Sequence, residues 1–302
     1  MLRHLGLLLL LAVALAVPTS RADNITFQRE LETWRADRVA RLTAPDSWLS
    51  LIGLHWLEAG ENTVGSAETS RLRLAAGPAQ LGRVLVAGDG TVRFVPAPGV
   101  DATADGVRID PAATDGVALD YRGARPTLVR SGTLSFLVIQ RGEKLGLRVR
   151  DSESPRRRNF AGIDYFPADP AWRIEADWVP FAPPREIPIT NILGQTSSGK
   201  VPGQAVFTHE GRTFTLLPVG ESADETLFFI ISDATSGDET YGAARFVYAA
   251  PPKDGKVILD FNRAQNPPCA FTPFATCPLP PKENRLPIRI TAGEKNYRGE
   301  AH

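Results

Sequence analysis

Most of the chain is written in one repeating pattern: a short run rich in Val, Ile, Leu and Phe, stopped by a turn built on Gly, Pro or Asp. Arg83–Ala87 and Thr91–Val95 flank Gly88-Asp89-Gly90, Leu134–Gln140 and Leu145–Arg150 flank Arg141–Lys144, and Ala205–Thr208 and Thr213–Leu217 flank His209–Arg212. Each reads as a hairpin, because the turn residues sit between runs suited to a pleated, half-buried surface. Val107–Ile109, Val117–Leu119, Val257–Phe261 and Leu286–Ile290 read as further strands. Trp172–Phe181 alternates, with Trp172, Ile174, Ala176 and Trp178 on one side and Arg173, Glu175 and Asp177 on the other, so one of its faces is wet. Leu227–Ile231 is apolar throughout, as a strand covered on both faces must be. Strands this short, recurring at about 8–12 residues, imply a sandwich or barrel and exclude a wound α/β sheet.

The fold expected is therefore mainly β, with an N-terminal helix, a small β-sandwich-like lobe and a larger antiparallel β sandwich or barrel lobe. The helix is Ile25–Leu42, where Phe27, Leu31, Trp34, Val39 and Leu42 recur near the helical period until Pro45 stops it. Trp48–Leu57 is a dense apolar segment feeding a turn at Glu58–Asn62. The divisions are 1–22 as a signal peptide, 23–58 as helix and core segment, 59–121 as the small lobe and 122–302 as the main lobe. Phe181–Arg185, with its paired prolines, is the best internal linker.

The signal peptide rests on Arg3 and His4, an apolar run from Leu5 to Val17, and small residues before a cut after Ala22. That run holds 13 residues, short of the about 20 needed to span a bilayer, so no membrane span is expected after cleavage. Mature chain from Asp23 would be periplasmic or secreted. There, Cys269 and Cys277, the only cysteines, are expected to pair around Pro273. Lys and Arg total 34 against 34 Asp and Glu, a balance that argues against nucleic acid as a partner.

Phe229–Arg245, Asp260–Phe271 and Thr276–Leu286 resemble the family catalogued as domain of unknown function 1684, and Trp48–Leu57 and Gly146–Asp151 resemble the same family. The resemblance covers nearly the whole mature chain and implies membership without implying an activity. Gly60–Ser66, Arg71–Leu74 and Gly82–Leu85 are similar to the opening of forkhead-associated domains. Ser66 stands where those domains carry Arg, and no Ser-Arg-x-His run follows, so this likeness implies a sandwich lobe and not phosphothreonine binding.

Chemistry concentrates in a few places. The loop Asp233–Tyr241 gathers Asp233, Thr235, Glu239, Thr240 and Tyr241 at the end of the buried strand, with Arg245 just beyond. It reads as a binding loop or as a turn capped by Asp233. Position twelve of the loop is Ala244 rather than Glu, so it is not a calcium loop, and no metal or cofactor is expected. Arg148 and Arg150 share one strand face, where a two-residue Gly142-Glu143 turn sets them opposite Leu137 and Ser135. Such arginines need a carboxylate (Asp151, Asp233 or Asp260) or a ligand anion. Asp260, Asn262 and Glu283 complete the candidate ligand-binding set. His55 reads as a packed residue and His209 as part of an exposed turn. No Gly-x-Ser-x-Gly, Walker or dinucleotide motif occurs. The leading expectation is binding of a small polar or anionic molecule, or of a cell-envelope component. The alternative is a carboxylate-dependent hydrolase of envelope sugars or esters, using two acids among Asp233, Glu239, Asp260 and Glu283.

Overall fold

The computed structural model describes residues 21–110 and 112–299. The apolar run proposed as a signal peptide lies outside them. A helix, Arg21–Leu42, leads into a 3-10 turn, Trp48–Ser50, and then the chain is mainly β. No helix among the described residues is long and apolar enough to cross a membrane.

Two sheets form the first lobe. One orders six strands as Leu51–Trp56, Lys144–Asp151, Leu134–Arg141, Val129–Ser131, Thr103–Ala104 and Val107–Arg108; the other orders five as Leu72–Arg73, Gly60–Gly65, Gly82–Val86, Val92–Pro96 and Val117–Ala118. Their inner faces share one core, in which Val64, Val84 and Phe94 of one sheet meet Phe136, Leu147 and Val149 of the other. Phe94 and Phe136 meet edge to face across it with ring centroids 4.9 Å apart. Full burial of side chains this size contributes about 2–3 kcal/mol each. The hairpin of Leu134–Arg141 and Lys144–Asp151, assigned to the larger lobe from sequence, packs in this core.

The second lobe places the sheet Arg212–Leu216, Thr196–His209, Arg173–Thr190 and Lys256–Asp260 over the paired strands Leu227–Ile231 and Arg245–Ala249. Leu227, Phe229 and Ile231 point into this core, while Phe228 and Ile230 pack on their other side against a cluster around Cys269 and Cys277. That double burial is why the run carries no polar residue. Trp172 and Ala176 lie in the core with Ile174 and Trp178 against it, the face the alternation assigns.

Three local expectations are corrected. Phe181–Arg185 is not a linker but the middle of the strand Arg173–Thr190. The ladder breaks between Pro180 and Arg185, so its prolines are asked for no hydrogen bond. Leu286–Ile290 is not a regular strand. The Leu286 amide donates to Ser232 O and the Ala234 amide to Ile288 O, but Pro287 has no N–H and the Ile290 amide donates to the Asp233 carboxylate instead. On the helix, Arg38 rather than Val39 takes the buried position between Trp34 and Leu42. Its guanidinium meets the buried Glu294 at 2.8 Å and donates to Asn266 O, which ties the helix to the second lobe.

Candidate functional site

The hairpin Leu134–Arg141/Lys144–Asp151 turns on Gly142, which adopts φ +58°, a region glycine enters without strain. This two-residue turn sets the register: Arg148 faces Leu137 and Arg150 faces Ser135, as the sequence implies. Alternation then separates the faces. Leu147 and Val149 enter the first core, while Arg148 and Arg150 point to the other side of the sheet. Arg130 pairs with Ser135 from the next strand, and Leu51 and Leu54 pair with Arg150 and Arg148 from the far side. Positive charge is thus grouped on a face whose neighbours are Leu51, Leu54, Leu137 and Ser135.

Arg148 is 7% exposed. Its guanidinium lies 5.3 Å from the Trp48 ring, and its Nε is buried without a hydrogen-bond partner. Burial, then the nearby positive charges of Arg141 and Arg150, push its pKa below the ordinary guanidinium range to about 10, so it remains charged at neutral pH. The Nε of Arg150 is likewise buried and unpartnered. Burial lowers its pKa, Asp46 works against that shift without forming an ion pair, and Arg130 adds to it. Arg141 reaches across to the disulfide loop, donating from Nε to Thr276 Oγ1 at 2.9 Å. Trp48 packs in the cluster that holds Cys269 and Cys277, so the cationic face lies under that loop, in the seam between the lobes. The disulfide forms as expected, with a Cα separation of 6.1 Å. Among the described residues none of Asp151, Asp233 and Asp260 pairs with these arginines: Asp151 accepts from the Glu153 amide, Asp233 pairs with Arg245 and Asp260 with Arg263.

The Asp233–Tyr241 loop is tied up internally. Asp233 Oδ2 meets Arg245 at 3.0 Å and accepts the Ile290 amide at 2.6 Å, and its Oδ1 accepts from Thr235 Oγ1 at 2.7 Å. Thr235 and Thr240 share a hydrogen bond of 2.9 Å. Arg245, 1% exposed, also donates to Ala292 O and Ile290 O. This buried charge pair stitches the 286–292 segment onto the buried strand: the Asp233 carboxylate oxygens and both terminal nitrogens of Arg245 are taken up inside the fold, and only the Arg245 Nε is left without a hydrogen-bond partner. Glu239 pairs instead with Arg289. Tyr241 packs in the cluster that contains Trp48 and the disulfide, and burial raises its phenol pKa.

The remaining candidates scatter. Asp260 caps the short turn Phe261–Arg263, accepting from the Asn262 amide, and Asn262 in turn clamps the backbone of Asp169. Glu283 is exposed. Its neighbour Asn284, which sequence reasoning left out of the set, is wholly buried and bonds the Leu217 amide, Leu217 O and Ile230 O. A cavity of about 420 Å³ opens on the five-stranded sheet between Thr63, Ser70, Gln80 and Arg83. Another of about 600 Å³ lies between the lobes beside Arg156 and Phe274. Neither is lined by Asp233, Glu239, Asp260 or Glu283. His55 is half-buried, its Nε2 has no hydrogen-bond partner among the described residues, and burial lowers its pKa.

The motifs from Phe229 to Leu286 lie within residues 158–295, which match the family described as protein of unknown function (DUF1684). Residues 158–295 belong to this family. Trp48–Leu57 and Gly146–Asp151 fall outside the DUF1684 match, and Arg148 and Arg150 with them. An uncharacterized protein of Haloarcula marismortui, whose structure was solved by NMR in solution, is 31% identical. The alignment covers 48% of this chain and 83% of that one, with a TM-score of 0.40. Among the curated proteins none matches.

Proposed function

We propose that this chain is an exported protein that binds a small anion, of carboxylate or phosphate class, on Arg148 and Arg150 in the seam between its lobes. One observation carries the reading: Arg148 is a nearly buried cation with no carboxylate partner and no hydrogen bond among the described residues. Burying a charge unpaired is costly, and an arginine fork is shaped to take two acceptor oxygens at once. Arg150 supplies the second fork on the same face. The hydrolase alternative has less support, because Asp233 and Asp260 spend their oxygens on local structure. Export rests on the Leu5–Val17 run and the cysteine pair. N-terminal sequencing of secreted protein should begin at Asp23.

Calorimetric titration with inorganic phosphate at low ionic strength tests the binding reading. The wild type should bind, and Arg148→Met and Arg150→Met should each weaken binding at least about tenfold, or about 1.4 kcal/mol. Phosphate binding that both variants retain unchanged would overturn it.

A further inference from the structure

The cavity of about 600 Å³ is a separate feature. Its walls come from both lobes: Ile52 and Ala75 from the first, Phe274 and Tyr297 from the second, with Arg156 and Asn159 from the segment that joins them. Ligand sites favour such junctions, and this volume lies within the range of small-molecule pockets. The walls are largely apolar and aromatic.

Arg156 gives the cavity its chemistry. It belongs to Pro155–Arg158, a single helical turn capped by Ser154, which lays three arginines side by side. Two of them are used: Arg157 donates to Thr43 O and Ser152 O, both at 2.7 Å, and Arg158 pairs with Glu153 at 3.1 Å. Among the described residues Arg156 makes no hydrogen bond and no ion pair. Its Nε is buried without a partner, and its guanidinium lies 5.5 Å from the Phe274 ring, inside the cavity wall. The other arginine of the lining, Arg298, is neutralised by Asp164. The pocket therefore presents one unspent cation, one amide and two aromatic rings.

We infer that this cavity binds an organic anion, with its carboxylate or phosphate on Arg156 and a ring-bearing apolar body against Phe274, Tyr297 and Ile52. An unmodified inorganic anion would leave the apolar walls wet, so the body contributes affinity that phosphate alone lacks. The site does not depend on Arg148 or Arg150.

Calorimetry with phenyl phosphate tests it. The wild type should bind phenyl phosphate at least about tenfold more tightly than inorganic phosphate. Arg156→Gln, which breaks no hydrogen bond or ion pair among the described residues, and Ala75→Trp, which fills the cavity from the exposed rim, should each lower that affinity at least about tenfold. Arg148→Met should leave it unchanged, so failure here is separable from failure of the seam site. Phenyl phosphate bound no better than inorganic phosphate, or bound equally well by Arg156→Gln and Ala75→Trp, would overturn the inference.

Discussion

Replacing Arg148 by Met should make the protein more stable. Folding lowers the guanidinium pKa from its ordinary value to about 10, chiefly through burial. At 1.36 kcal/mol per decade that is a cost on the order of 3 kcal/mol, present at every pH below about 10 because the folded state holds the charge throughout. The contact with Trp48 returns about 1 kcal/mol of it. Met keeps most of the apolar stem volume, so its packing against Leu54 and Leu137 is largely preserved. The net expectation is a gain of about 1–2 kcal/mol, or a rise in Tm of roughly 3–6 °C. Thermal unfolding followed by circular dichroism, with and without phosphate, reads both halves of the argument. Phosphate should raise the Tm of the wild type and not that of the variant. A residue that costs stability and is needed for binding fits the usual trade at functional sites. A Tm for Arg148→Met several degrees below the wild type would show that the guanidinium is satisfied inside the fold, and the reasoning would fail.

Three further outcomes follow from the same contacts. Asp233→Asn should cost about 3–5 kcal/mol by chemical denaturation, since it leaves Arg245 buried without its counter-charge; a loss under about 1 kcal/mol would place the pair outside the stabilising network. Asn284→Ala should cost about 2–4 kcal/mol, because the Leu217 amide, Leu217 O and Ile230 O all lose a buried partner. His55 is held below 6.5 by burial, so the unfolded chain takes up the proton first. Stability should therefore fall as pH drops below about 6.5 and stay level above it as far as this residue is concerned, and His55→Leu should flatten that slope in pH-dependent melting.

The strands were readable because their signal is local. The turn at Gly142 and the alternation along Lys144–Asp151 fix which way Arg148 and Arg150 point without reference to any other element. The double burial of Leu227–Ile231 was written in the absence of polar residues. What escaped depends on distant partners. Nothing near Asp233 announces that Arg245 and the Ile290 amide will consume its oxygens, and a loop with unspent groups has the same composition. Pro287 was the available warning that Leu286–Ile290 cannot complete a ladder. Arg38 also left a trace, since it falls on the apolar stripe of the helix, but its partner Glu294 lies at the other end of the sequence. Arg156 could not be told from Arg157 and Arg158 until the cavity was in view.

The most direct test of the seam site is a crystal structure of the protein grown with selenate, whose anomalous signal marks the anion by itself. A peak within hydrogen-bonding distance of both Arg148 and Arg150, beneath the disulfide loop, is the expected result. Selenate only on outward-facing arginines, with Asp46 drawn in to pair with Arg150, would contradict the account.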